Sequence, residues 1–204
     1  MDAFAESPEW GGSLVIFPFM YYETYGDDSL IKKYYPNMRR YVDYLKTRAD
    51  KGILSFGLGD WYDYGDFRAG FSRNTPVPLV ATAHYYMTVM YLVKAAGMVG
   101  NEFDVRYYSS LAHDIMVAFN KCFLDNNTAQ YGTGSQCSNA LPLFLHLTQS
   151  AGEQGVCQPD TNLNKKVLFN LIKDVKAHRD RLTTGDVGNR YSVSYTHLTL
   201  PTKR

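Results

Sequence analysis

Leu79-Val80-Ala81-Thr82-Ala83-His84-Tyr85-Tyr86-Met87-Thr88-Val89-Met90-Tyr91-Leu92-Val93 sets Leu79, Ala83, Tyr86, Met90 and Val93 at alternating steps of four and three. That is the one-face spacing of an amphipathic helix. Gly97 and Gly100 then end it. Asn101 is placed to cap a second helix, whose stripe is Tyr107, Leu111, Ile115, Ala118 and Cys122. The turn-forming run Asp125-Asn126-Asn127-Thr128 closes it. Together the two segments predict a helical hairpin.

The same plan extends to both sides. Toward the start, one helix is expected from about Ser13 to Tyr25 with a stop at Gly26, and a second carries Leu30, Tyr34, Met38, Val42 and Leu45. Pro18 should kink the first, because it lacks an amide hydrogen and crowds the carbonyl four residues back. Toward the end, a third pair covers Ser138 to Leu147 and Leu163 to His178, with Val167, Leu171, Ile172 and Val175 inward. Links within pairs are expected to be short. Those between pairs, Asp50 to Pro78 and Leu124 to Gly134, are long and rich in Gly, Asp, Asn and aromatics, and long loops between helices are usually functional. The expected fold is therefore all-α: about three consecutive helical hairpins, half of a toroid whose long loops meet at one end. A regular helical-repeat array fits less well, since the hairpins recur unevenly.

The 204 residues suffice for one domain with a sizeable core. Lys and Arg number 21 against 20 Asp and Glu, so no basic field exists to recruit nucleic acid or anionic lipid. No apolar run approaches the roughly 20 residues that cross a bilayer. Cys122, Cys137 and Cys157 form no Cys-x-x-Cys pair, which indicates neither a zinc site nor a closed disulfide framework.

The two tryptophans carry the chemistry. Trp10 stands in Ser7-Pro8-Glu9-Trp10-Gly11-Gly12 and Trp61 in Gly57-Leu58-Gly59-Asp60-Trp61-Tyr62-Asp63. A flat indole packs on the C–H face of a sugar while a neighbouring carboxylate accepts hydrogen bonds from its hydroxyls. The bland alternative is a pair of core tryptophans at helix ends.

Seven short motifs, in order, make the chain resemble the bacterial α-L-rhamnosidases of glycoside hydrolase family 78. They are Pro8-Glu9-Trp10-Gly11-Gly12-Ser13, Tyr25-Gly26-Asp27, Tyr41-Val42-Asp43-Tyr44-Leu45, Gly59-Asp60-Trp61, Leu79-Val80-Ala81-Thr82-Ala83, Gly134-Ser135-Gln136 with Asn139-Ala140-Leu141-Pro142-Leu143, and Leu182-Thr183-Thr184-Gly185. The resemblance covers roughly residues 1–191. It implies part of an (α/α)6 barrel and inverting removal of terminal α-L-rhamnose from glycosides or polysaccharides, with no metal or organic cofactor. It also implies that Trp10 and Trp61 contact rhamnose, with Glu9 and Asp60 lining the site beside them.

Inverting hydrolysis needs two carboxyl groups about 6.5–9.5 Å apart. In the family the general acid belongs to an Arg-x-Glu segment ahead of Pro-Glu-Trp, and the general base lies well beyond Thr-Thr-Gly. No catalytic residue is therefore expected in this chain, whose missing partner is the remainder of its own barrel. Glu9 and Asp60 could be mistaken for the pair. Each precedes a tryptophan in a stiff, turn-like setting, and the rival role for both is a loop-fixing carboxylate that accepts backbone amides. Asp63 and Asp66 are expected to structure the loop or contact distal sugar.

His84, His113, His146 and His178 lack a second ligand at helical spacing, which favours core or surface roles over metal. Ser135 is expected to cap a helix. Arg179, Arg181 and Arg190 straddle the Thr-Thr-Gly loop, where they favour acidic sugars or simply face water.

Residues 192–204, beginning Ser192-Val193-Ser194-Tyr195-Thr196-His197, resemble translated transposase adapter from sequencing libraries. They are expected to be a non-native tail that does not continue the helix. Met1 matches an internal position of the family. Half a toroid would leave apolar faces uncovered, so the isolated chain is expected to aggregate and to be catalytically inert. Rival readings are another (α/α)6 glycosidase, debranching or trehalase-like, and a non-catalytic helical-hairpin module that binds carbohydrate or protein. By family habit the whole enzyme would be exported.

Overall fold

The computed structural model describes residues 6–151 and 157–199, without the side chains of 149–151, 157–159 and 195–199. Met1 and the side chains of Cys157 and His197 lie outside the described part. A single turn, α1 (Pro8–Gly11), leads into α2 (Ser13–Tyr25), which runs through Pro18 as one helix, and then α3 (Ser29–Arg48). The second pair is α4 (Val77–Met98) and α5 (Glu102–Phe123). The third is α6 (Gln136–Phe144) and α7 (Thr161–Ala177), followed by α8 (Asp186–Thr199). Gly26 and Gly100, both at φ near +70°, end α2 and α4 in the left-handed turn that glycine adopts most cheaply.

The hairpins are thus as expected, and a further helix opens a fourth. The layering is that of a double-walled toroid: α2, α4, α6 and α8 touch in succession, and α3, α5 and α7 back them. The core runs between the two walls, with Met38, Val42, Leu45, Leu92, Ile115, Phe119, Leu141 and Leu171 among its buried members.

Several expectations are corrected in detail. The α4 sequence does not bury one face only; Leu79 through Val89 is buried without a break, because α1, α2, α3, α5 and α6 all touch this helix. On α3 the buried stripe starts at Ile31 and Tyr35 rather than Leu30 and Tyr34. On α5 it is Tyr108, Ala112, Ile115, Met116 and Phe119, which leaves Tyr107 and Cys122 exposed. Both shifts follow one buried carboxylate: Asp104 on α5 accepts the Tyr35 hydroxyl, is bonded by the Asn101 amide at 2.8 Å and pairs with Arg39 at 3.0 Å. This cluster sets the rotation of α3 against α5.

The link within the third pair is not short. Residues 145–160 hold an antiparallel hairpin of β3 (Gln149–Ala151) and β4 (Cys157–Pro159), and a smaller ladder of β1 (Leu124–Asp125) and β2 (Gln130–Tyr131) lies in the loop before α6. Nor does the last helix stop at Tyr191, since α8 continues to Thr199 with Ser192 buried.

Candidate functional site

The long loops do meet at one end, at the starts of the inner helices. Thr75, just before α4, shares a hydrogen bond of 2.8 Å with Ser135, just before α6. Gln136 binds the loop before α8 on both sides of its amide, donating to the Arg181 carbonyl at 3.1 Å and accepting from the Thr183 amide at 2.9 Å. Ser135 caps α6 as expected, receiving the Ser138 amide at 3.2 Å. Asn101 caps α5 in the same way at 3.1 Å.

Glu9 fastens the first tryptophan loop to the second. Its carboxylate accepts the Gly59 amide at 3.0 Å and the Ser7 hydroxyl, while Ser7 in turn receives the Leu58 amide at 3.3 Å. Trp10 therefore stands on a turn bound directly to the loop that carries Trp61. It is 52% exposed, far more open than a core tryptophan. Trp61 is half-buried, meeting Tyr62 and Phe71 edge-on with centroids 5.2 Å away in each case.

Asp60 departs from the expected sugar-lining role. It is fully buried, so no sugar hydroxyl reaches it. One oxygen accepts the Gly188 amide at 2.6 Å, and the other, without a hydrogen-bond partner, faces the region of Cys137. Burial pushes its carboxyl above the usual range, an effect partly offset by the amides of Gly185 and Gly188. Asp63 is also buried and closes its own loop by accepting the amides of Arg73 at 2.8 Å and Asn74 at 2.6 Å. Asp66 is exposed.

Beneath Glu9 lies a cavity of about 190 Å3 at the inner wall, lined by Glu9, Ser13, Met20, His84, Arg190 and Tyr191. His84 faces it and was not singled out from the sequence as a site residue. Its Nδ1 stands 2.8 Å from the Val80 carbonyl and must carry the hydrogen; Nε2, at 3.1 Å, then accepts the Tyr191 hydroxyl. Burial drives its pKa down, and the imidazole is neutral. A buried histidine bonded to a tyrosine from another inner helix shows no spacing signal, because 107 positions separate the two. Of the three arginines, Arg190 lines this cavity and Arg181 lines a separate polar cleft of about 750 Å3 with Tyr64, Arg73, Asn74 and His178. Among the described residues no group of three or more His, Cys, Asp or Glu is placed to hold a metal ion. No described helix is long and apolar enough to cross a membrane.

This double wall with its gathered loops has close counterparts. Residues 1–196 match the bacterial α-L-rhamnosidase six-hairpin glycosidase domain. The chain belongs to that family. An α-L-rhamnosidase of Alteromonas sp. is 25% identical over 89% of the chain, and one of Formosa agariphila is 28% identical over 57% of it. Among solved structures, an α-L-rhamnosidase from Dictyoglumus thermophilum superposes with a TM-score of 0.80 at 31% identity over 94% of the chain. The Streptomyces avermitilis α-L-rhamnosidase in complex with L-rhamnose shares the fold, with a TM-score of 0.78 at 22% identity over 93% of the chain. The chain spans 12–21% of the length of these relatives.

Proposed function

We propose that this chain is the sugar-holding part of an inverting α-L-rhamnosidase that removes terminal rhamnose from glycosides or polysaccharides. Trp10 and Trp61 are two walls of the rhamnose pocket, and the catalytic acid and base come from outside the chain. The observation that carries this reading is the Glu9 carboxylate bonded to the Gly59 amide, which joins the two loops that bear the tryptophans. An indole packs on the C–H face of a sugar. Neither neighbouring carboxylate suits the chemistry: Glu9 is occupied by an amide and a hydroxyl, and Asp60 is sealed from water. A general acid must reach the glycosidic oxygen.

The test uses the enzyme expressed from the complete reading frame, assayed with 4-nitrophenyl α-L-rhamnoside. Trp61→Ala should lower kcat/KM by roughly tenfold or more, a loss on the scale of one aromatic contact of about 1.5 kcal/mol, with an unchanged circular dichroism spectrum. Glu9→Gln should keep a measurable kcat, whereas loss of a catalytic carboxylate removes several orders of magnitude. Wild-type kinetics in Trp61→Ala would remove that residue from the pocket. Turnover by the 204-residue chain alone would overturn the assignment of catalysis elsewhere.

A further inference from the structure

The N-terminus of α8 has no cap of its own. The residue before the helix, Gly185, carries no side chain, and the Thr184 hydroxyl is buried without a hydrogen-bond partner. Helix N-termini leave amides that need acceptors, and here two of them are served from the loop of the second tryptophan. The Asp186 amide donates to the Trp61 carbonyl at 2.7 Å, and the Gly188 amide donates to the Asp60 carboxylate at 2.6 Å. The Trp61 Cα is thus held on both sides, by the side chain before it and by its own carbonyl.

The fit is close enough to require glycine on the helix side. A Cβ on Gly185 would stand 2.1 Å from the Trp61 carbonyl oxygen, and one on Gly188 would stand 2.7 Å from an Asp60 carboxylate oxygen. The rest of the loop is tied to the same segment: the Tyr64 amide donates to the Thr183 carbonyl at 3.0 Å, and Asn74 binds the Tyr64 carbonyl at 2.8 Å. Between these ties, Tyr62 takes a left-handed φ of +64°, which a bulky residue adopts only where its surroundings enforce it.

We propose that Asp60 is the positioning residue of Trp61: by capping α8 from a distant loop, its buried carboxylate fixes the backbone that carries the indole without touching sugar. This rests on the reading of Trp61 as a wall of the rhamnose pocket. It assigns the acidic half of the Gly59-Asp60-Trp61 motif to geometry and the aromatic half to recognition. The amides at the start of α8 offset part, though not all, of the burial cost that raises the Asp60 pKa.

The experiment uses the full-length enzyme labelled with 5-fluorotryptophan. The Trp61 fluorine resonance is identified by its loss in Trp61→Phe, and affinity is read as the inhibition constant of L-rhamnose. Asp60→Ala should shift or broaden that resonance and weaken inhibition roughly tenfold, since small displacements of a binding group are costly. Asp60→Asn, which keeps an oxygen for the Gly188 amide, should restore both. Gly188→Ala offers a second route that leaves Asp60 in the sequence and crowds its carboxylate; it should move the resonance and the inhibition constant in the same direction as Asp60→Ala. Ile115→Ala, in the core between α4 and α5, serves as a destabilised control and should leave both readings unchanged at a temperature where it is folded.

A wild-type resonance and inhibition constant in both Asp60→Ala and Gly188→Ala would overturn the positioning role. Equal shifts in Ile115→Ala would do the same, by reducing the effect to general stability. If instead Trp61→Ala itself leaves inhibition unchanged, the pocket reading fails, and the fluorine shift alone decides whether Asp60 positions the indole.

Discussion

His84 on α4 and Tyr191 on α8 meet across the inner wall, Nε2 to hydroxyl at 3.1 Å, with the imidazole neutral and its other nitrogen bound to Val80. Burial lowers the pKa of His84, the Glu9 charge pulls it partly back, and Arg190 lowers it further. The unfolded chain therefore binds a proton more readily than the native one. The stability that neutral His84 contributes is fully present above its unfolded pKa of about 6.5 and is lost as pH falls through the depressed native value. Thermal midpoints measured from neutral pH down to pH 5 should fall in the wild type and fall less in His84→Gln. Parallel curves would assign the acid sensitivity to other groups.

Asp60 titrates with the opposite sign. Its native pKa is raised above 3.8 by burial. The stability linked to this group is present in full below the unfolded value and is lost as pH rises through the raised native value. Asp60→Asn carries no such term and keeps the acceptor. Its melting temperature relative to wild type should therefore climb between pH 4 and pH 7; a constant difference over that range would show that Asp60 is ionised without penalty.

Asp104 is the buried hub between α3 and α5, shared by Tyr35, Asn101 and Arg39. Removing its side chain leaves the buried Tyr35 phenol, the Arg39 guanidinium and the Asn101 side-chain amide without their shared partner, while the Asp104 backbone amide keeps its bond to the Asn101 cap. Asp104→Ala should cost on the order of 2–3 kcal/mol in urea unfolding, with Tyr35→Phe costing less. A loss below about 0.5 kcal/mol, typical of an exposed pair, would mean that the cluster is not a unit.

Leu14, Phe17 and Met20 form an exposed apolar face on α2. Contiguous apolar surface of this kind drives association. The 204-residue chain on its own should sediment as oligomers or aggregate at micromolar concentration, and Phe17→Lys should reduce this. A monodisperse monomer in analytical ultracentrifugation would contradict the expectation.

What the sequence showed and hid divides along the range of the interactions involved. The caps at Asn101 and Ser135 act within three residues, and the stops at Gly26 and Gly100 are set by backbone sterics alone, so all four were legible. The family resemblance likewise rested on short motifs in order. The rotation of α3 and α5 was misread by one residue, since it depends on a buried carboxylate reached from another helix. Enclosure of α4 on all sides has no periodic signature. The role of Asp60 depends on an amide 128 positions away, and nothing near Asp60 announces it. For the same reason, the break expected after Tyr191 was drawn from motif loss, whereas Ser192 packs into the wall regardless.

The inner helices begin at the loop end, and that common direction has an electrostatic consequence. Aligned peptide dipoles place a fractional positive charge at each helix N-terminus. The starts of α4, α6 and α8, brought together by Thr75, Ser135, Gln136 and Asp60, sum into a local field favouring anions. Glycoside cleavage instead develops positive charge on the sugar ring. A barrel of this build must therefore draw on carboxylates other than Asp60, which is buried with a raised pKa, to reverse the field of its own backbone at the mouth.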